Sequence, residues 1–235
     1  MGEVVKGMIK TFTFVAAGAA LFATGLWAQE ETPDHRLRSA AGVFHEMIGA
    51  PDKGIPRDLL EKSQCVIIVP GLKKAGFIFG ADYGKGFAAC RHAGGWTGLA
   101  AITLGGGSFG AQIGVESTDV IMLVMDRKGM EKLASDKFTV GADASVAAGP
   151  VGRTTSADTD ASLHAEILSW SRAHGIFAGV SLDGTVVKKD GGEDQRLYGM
   201  DVSEHAILYG EVPPPAAGKI LTAELSRFPR EHAAR

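Results

Sequence analysis

"LGGGSFGAQIG", residues Leu104 to Gly114, satisfies two catalytic patterns at once, and its reading decides what kind of fold the chain has. Gly105, Gly107 and Gly110 spell the G-x-G-x-x-G of a dinucleotide-binding turn, while Gly106, Ser108 and Gly110 spell the G-x-S-x-G of a hydrolase nucleophile elbow. Both patterns need a strand that ends in a turn from which a helix starts, so that the helix N-terminus holds the pyrophosphate or the turn lifts the serine. The strand is present in "TGLAAITL", but "AQIGVESTDVIML" after it holds an internal glycine and alternates as a strand does. The chain carries 32 glycines in 235 residues, about twice the usual share of roughly 7%, so a chance match is unsurprising. The stretch therefore reads as strand, glycine-rich bend, strand. The enzyme alternative, a serine hydrolase using Ser108 with a downstream acid such as Asp119 or Asp183 and a histidine such as His164 or His205, lacks the helix it requires.

The segments around this stretch keep the same rhythm. "CVIIVPG", "AGFIFGADYG", "GKGFAACRHAGG", "WTGLAAITLGGG", "SFGAQIGVEST" and "DVIMLVMD" follow one another at about 8 to 12 residues, each closed by a turn signal. That spacing predicts an antiparallel meander, since parallel units need crossovers of about a dozen residues or more. "SVAAGPVGRTT", "IFAGVSLDGTVVKKD" and "HAILYGE" read as further strands, with a hairpin turn at Asp183-Gly184. "DASLHAEILSWSRAH" fits either period and is taken as strand.

Helices frame these strands. Leu37, Ala40, Ala41, Phe44, Met47 and Ile48 recur at three- and four-residue steps and predict an amphipathic helix from Pro33. "IPRDLLEKS" and "RKGMEKLAS" read as short helices, and "AAGKILTAELSRFP" as a closing helix with Ile220, Leu221, Leu225 and Phe228 on one face. The fold class expected is α+β, a strongly curved antiparallel sheet or barrel flanked by N-terminal and C-terminal helices.

Residues 1–28 differ from the rest. Lys6 and Lys10 precede the uncharged "TFTFVAAGAALFATGLW", and Ala28 precedes the polar "QEETPDHR". This is the pattern of a cleavable secretory signal peptide. It implies a single domain over 29–235, with its core at about 36–229, in a periplasmic or secreted protein able to associate peripherally with a membrane. Cys65 and Cys90 either form a disulfide or stand as buried small hydrophobes, and their spacing does not decide between the two.

Chemistry-bearing constellations are sparse. The seven histidines show no H-E-x-x-H or H-x-H and the cysteines no C-x-x-C, so no metal or other cofactor is expected. A net charge of −3 gives no global field toward nucleic acid or anionic lipid, so such binding needs a local basic patch. Lys73, Lys74, Lys85, Arg91 and Arg153 sit at strand ends or turns, and Arg36 and Arg38 on the first helix. These seven are the candidate lipid-binding residues.

"VPGLKKAGFIFGADYGKGFAACR", "GGGSFGAQIGVESTDVIMLVM", "AGPVGR", "SWSRAHGIFAGVSLDG" and the closing "LYG" resemble the successive signature blocks of the SYLF domain family, also called the Ysc84 actin-binding domain family. The blocks run in family order from about Ser39 to Phe228. The resemblance implies a noncatalytic module: eukaryotic members bind phosphoinositide-containing membranes, some fungal members bind actin filaments, and members with bacterial-type export signals are described as lipid-binding. It places Lys73, Lys74 and Arg153 within matching blocks, and makes the helix from Asp34 to Ile48 the membrane-contacting region. The expected function is binding of anionic phospholipid or a phosphoinositide-like headgroup at the bacterial envelope, through apolar helix contacts and a local basic patch. The expected partners are membrane lipid, with actin by family resemblance only, and neither nucleic acid nor nucleotide. A structural or protein-interaction domain without a lipid ligand is the further alternative.

Overall fold

In "CVIIV" and "VIMLV" the apolar residues do not alternate, and the computed structural model of the protein shows the reason: the strands that carry them are covered on both faces. The structure describes residues 31–50, 54–76, 79–93, 95–109, 114–150, 164–173, 176–179 and 182–229. The chain divides into two units, Met1–Glu31 and Thr32–Arg235, and the sheet with its helices belongs to the second.

Among the described residues ten strands form one sheet: β1 (Cys65–Gly76), β2 (Phe79–His92), β3 (Gly95–Trp96), β4 (Ala100–Phe109), β5 (Gly114–Val124), β6 (Lys137–Thr139), β7 (Val146–Ala148), β8 (Ile167–Ala173), β9 (Ile176–Gly179) and β10 (Val186–Lys189). The order is β6-β10-β4-β2-β1-β5-β8-β7, with β3 attached to β2 and β9 to β8. Only β7 with β8 is parallel among the paired strands. The two outermost strands, β6 and β7, are joined by residues 140–145, and an isolated bridge links Val140 to Ala144. Laid flat, eight strands at ~4.8 Å spacing would part those edges by about 34 Å, beyond the roughly 25 Å that the seven steps from Thr139 to Val146 reach. The connection therefore demands curling, and the sheet is a strongly curled half-barrel.

Both faces of the curl are packed. On the convex face lie Val66, Ile68, Phe87, Ala89, Ile121, Leu123 and Trp170, covered by α1 (Pro33–Gly49), α2 (Arg57–Lys62) and α6 (Lys219–Leu225). The concave face is filled by Ile67, Val69, Ile102, Leu104, Met122 and Val187, with Phe138 and Val140 from the β6 edge, Leu133 from α3 (Arg127–Leu133) and Ile207 and Leu208 from α5 (Glu204–Leu208). Side chains thus occupy the inside of the curl along this part of the sheet.

Cys65 and Cys90 are directly opposite in the β1–β2 ladder and form a disulfide. Arg91 N donates to Gln64 O, so 64 and 91 are the hydrogen-bonded pair and 65 and 90 the closer, non-bonded one. Both cysteines are fully buried on the concave side. With a sequence separation of 25, replacing both by alanine is expected to lower unfolding free energy by about 3 kcal/mol; a denaturant titration checks this, and an unchanged midpoint would contradict it.

The structure corrects several expectations. β5 does not meander back onto β4; it pairs with β1 on the far side of the β1–β2 hairpin, which is nested between β4 and β5. "VPG" does not end a strand, because Pro70 and Gly71 form a bulge within β1, Gly71 taking φ +61°. Asp183-Gly184 is a turn, but β9 before it pairs with β8 and β10 after it pairs with β4 and β6, so no hairpin forms. "HAILYGE" is not a strand: Ser203 caps it by accepting from Ala206 N at 3.1 Å, and Glu204–Leu208 is α5. A further helix, α4 (Gly191–Tyr198), was not expected, although Asp190 caps it and Gly199 closes it in the left-handed region. Ile220 lies outside the buried face of α6, at 47% exposure.

In "LGGGSFGAQIG" Leu104–Phe109 ends β4 and Gly114 starts β5, while 110–113 lie outside the described residues; among the described residues a strand and not a helix comes next after the glycines, so neither catalytic pattern has its required context. Its glycines are not where backbones crowd most. A Cβ on Gly105 would have Asp82 O as nearest neighbour at 3.9 Å, whereas on Gly86 it would stand 2.1 Å from Ile68 O beside the bulge.

Candidate functional site

The predicted basic residues whose structure is described do not assemble into one patch. Three of the six whose structure is described are structural cations.

Arg36 is buried at 4% exposure beneath α1 and pairs with Glu193 of α4. The helix starts at a Thr32 cap and runs its apolar stripe along the sheet, which carries Arg36 inward with Leu37 and Ala40. Lys85 on β2 joins the same group, with Asp190 Oδ2 at 2.8 Å and Glu193 Oε2 at 3.5 Å. Burial alone would lower the pKa of Lys85, but the hydrogen bond and charge of Asp190 and the charge of Glu193 hold it above its ordinary value. Arg91 is a clamp: its guanidinium donates to Ser63 O at 3.0 Å, Leu60 O at 2.9 Å and Phe228 O at 3.0 Å, and stacks on Trp96 at 4.2 Å. It thereby ties α2 and the end of the α6 segment to β2.

Arg38 is exposed on α1, and Arg153 lies outside the described residues. Lys73 and Lys74 lie beyond the β1 bulge, on the part of β1 distal to the core. Because successive strand residues face opposite sides, the two lysines diverge. Lys73, with cross-strand partners Tyr83 and Ser117, is on the convex side; Lys74, opposite Asp82 and Glu116, is on the concave side. Lys73 is exposed and donates to Ser117 Oγ at 3.0 Å, and Tyr83 beside it is 54% exposed. A little further in, Arg172 of β8 donates to Asp119 Oδ2 at 2.6 Å and pairs with Glu46 of α1.

The apolar stripe of α1 is also committed. Leu37, Ala40, Ala41, Phe44 and Met47 are all in the convex core, and Phe44 meets Phe228 edge to face at 5.8 Å. Membrane contact through that stripe, as the resemblance implied, would need the helix to leave the sheet. Among the described residues no helix is long and apolar enough to cross a membrane, and no group of three or more His, Cys, Asp or Glu is placed to hold a metal ion.

The acids that partner these cations were missed by the sequence reading, which weighed basic residues one at a time. Glu193, Asp194 and Glu204 are all buried. The signal available was Asp190 three residues before Glu193, a helix-start signature in "DGGEDQRLYG".

What fold and site define together is an α+β half-barrel domain, its two faces packed, its sheet prolonged at one end into a glycine-rich, lysine-bearing extension. The family model described as "Las17-binding protein actin regulator", Ysc84, matches residues 105–228. The chain belongs to the Ysc84 family, also called the SYLF domain family. It is 36% identical over 167 residues to the "SH3 domain-containing protein PJ696.02" of Schizosaccharomyces pombe, covering 69% of this chain and 39% of that protein. It is 30% identical over 202 residues to the human "SH3 domain-containing YSC84-like protein 1", covering 83% of this chain and 59% of the relative. With the "LAS seventeen-binding protein 3" of Saccharomyces cerevisiae it shares 32% identity over 177 residues, 74% of this chain and 38% of that protein. The chain thus spans between about two fifths and three fifths of the length of these relatives.

Proposed function

We propose that the chain is a noncatalytic, exported domain that binds anionic phospholipid headgroups through the distal end of its sheet. The observation that carries this reading is the placement of Lys73 and Lys74 on that end, beyond the last packed core residues of β1, with Lys73 exposed beside Tyr83. A lysine next to an exposed tyrosine suits a membrane interface, where the ring takes the headgroup level and the ammonium meets phosphate. Lys85, Arg91 and Arg36 are committed to internal partners and are not counted in this site. Export is supported by the leader-like pattern of residues 1–28 and by the Cys65–Cys90 disulfide, which belongs to oxidising compartments.

A lysine near an anionic surface contributes about 1 kcal/mol. Charge reversal at both positions, Lys73→Glu with Lys74→Glu, is therefore expected to weaken binding to phosphatidylglycerol vesicles at least thirtyfold or so. Co-sedimentation measures it, and unchanged affinity would remove this end of the sheet from the site.

The second reading is a protein-interaction domain, favoured by the family's description as an actin regulator and by the relative named LAS seventeen-binding. Co-sedimentation with filamentous actin, without lipid, tests that reading directly.

A further inference from the structure

At the other end of β4 from the lysine-bearing extension, an open cleft of about 530 Å³ lies between the end of β10, the first turns of α4 and the segment leading into α5. Its lining includes Lys189, Gln195 and three acids, Asp194, Asp201 and Glu204. Glu204 is 5% exposed, and its Oε2 has no hydrogen-bond partner among the described residues. Lys189, the nearby cation, is turned instead to Asp136 at the start of β6. Asp194 is fixed by accepting from Ala101 N at 2.7 Å. An unpartnered buried carboxylate oxygen is costly, so a lone acceptor on a residue of the wall of a cleft of ligand size marks a place for an incoming donor.

The chemistry narrows that donor. Asp201, with Glu204 and Asp194 once they give up their protons, faces one lysine that already has a partner, which favours a cation, and no described group of acids has metal-holding geometry. We infer that this cleft binds a primary alkylammonium group, which donates to Glu204 Oε2 with Asp194 and Asp201 around it while its alkyl stem lies along the cleft past Val202. A primary ammonium brings three N–H donors and a full charge. The site is separate from the lipid reading and does not depend on it.

Protonation supports the same occupant. Burial, with the charge of Asp194 and Asp136 added and that of Lys189 opposing, pushes the Glu204 carboxyl up to about 8. Burial likewise pushes Asp194 up to about 7, with Asp190 and Glu193 adding to it. An ammonium favours the ionised carboxylate, so binding near pH 7, below the Glu204 value, must release a proton, and affinity must fall as pH drops further.

Cadaverine is the probe, and calorimetry of the full chain at about pH 7 in two buffers of different ionisation enthalpy is the measurement. The expected result is saturable binding with fractional proton release. Glu204→Gln, which keeps the side-chain shape, is expected to release fewer protons than wild type and to lose at least about tenfold in affinity, roughly 1.4 kcal/mol. 1-Pentanol, with the stem and no charge, is expected not to bind. Absence of saturable heat up to about 20 mM cadaverine, well past a ~1 mM Kd, would overturn the inference. So would binding without proton release by the wild-type chain, a result that does not depend on the variant folding.

Discussion

Glu193→Ala is expected to destabilise the protein by about 3–5 kcal/mol, because it removes the anion that faces a buried guanidinium. Glu193 is 1% exposed and Arg36 4%. Glu193 also draws Lys85 and Arg196 to its Oε2, at 3.5 Å each. Without it Arg36 stays under α1 and loses its buried Glu193 carboxylate, whereas Lys85 retains Asp190 at 2.8 Å. The loss should therefore localise to the α1–α4 contact. The double variant Arg36→Met, Glu193→Leu is expected to recover most of the stability, since two apolar side chains of similar size are often as good as a buried ion pair. Chemical denaturation of wild type, the single variants and the double closes this cycle. A loss of under about 1 kcal/mol for Glu193→Ala would show that the pair is not holding the helix.

Gly86→Ala is expected to cost about 3 kcal/mol or more, and Gly105→Ala less than about 0.5 kcal/mol, although both are strand glycines in the same β2–β4 region. At Gly86 the added Cβ would meet Ile68 O at 2.1 Å and Val69 Cα at 2.9 Å, backbone atoms that can yield only if the β1 bulge shifts. At Gly105 the nearest atom is Asp82 O at 3.9 Å, an ordinary contact. Thermal unfolding of the two variants side by side checks this, and equal losses would contradict the assignment of close approach to Gly86.

Those two glycines mark how far the sequence could be read. That the described residues of "LGGGSFGAQIG" lie on strands was legible because strand-like runs closed by turn signals continue on both sides of it. Which glycine answers a steric demand was not legible, since the demand at Gly86 comes from a bulge some sixteen residues earlier in the chain, visible only once β1 and β2 are paired. The strand order escaped for a related reason. Turn signals report where a strand ends and not which neighbour it takes, so the nesting of β1–β2 between β4 and β5 had no local mark. The "HAILYGE" helix was misread because Ile207 and Leu208 look like strand residues until the Ser203 cap is given its weight.

The candidate site was legible in kind more than in membership. Lysines and arginines look alike in a chain of turns, yet Arg36, Lys85 and Arg91 find carboxylates or carbonyls inside the fold while Lys73 remains exposed. Their partners are far away in sequence: Glu193 lies 157 residues from Arg36 and Phe228 lies 137 residues from Arg91. The disulfide was open for the same reason, being decided by a register that places Cys65 opposite Cys90.

Sedimentation of the wild-type protein with phosphatidylglycerol vesicles, beside phosphatidylcholine vesicles and over a range of salt, tests the proposed function most directly. Binding to the anionic vesicles is expected at low salt, with progressive loss as salt screens the lysines and no binding to the neutral ones. Protein left in the supernatant of anionic vesicles at low salt would contradict a lipid-binding role for the distal end of the sheet.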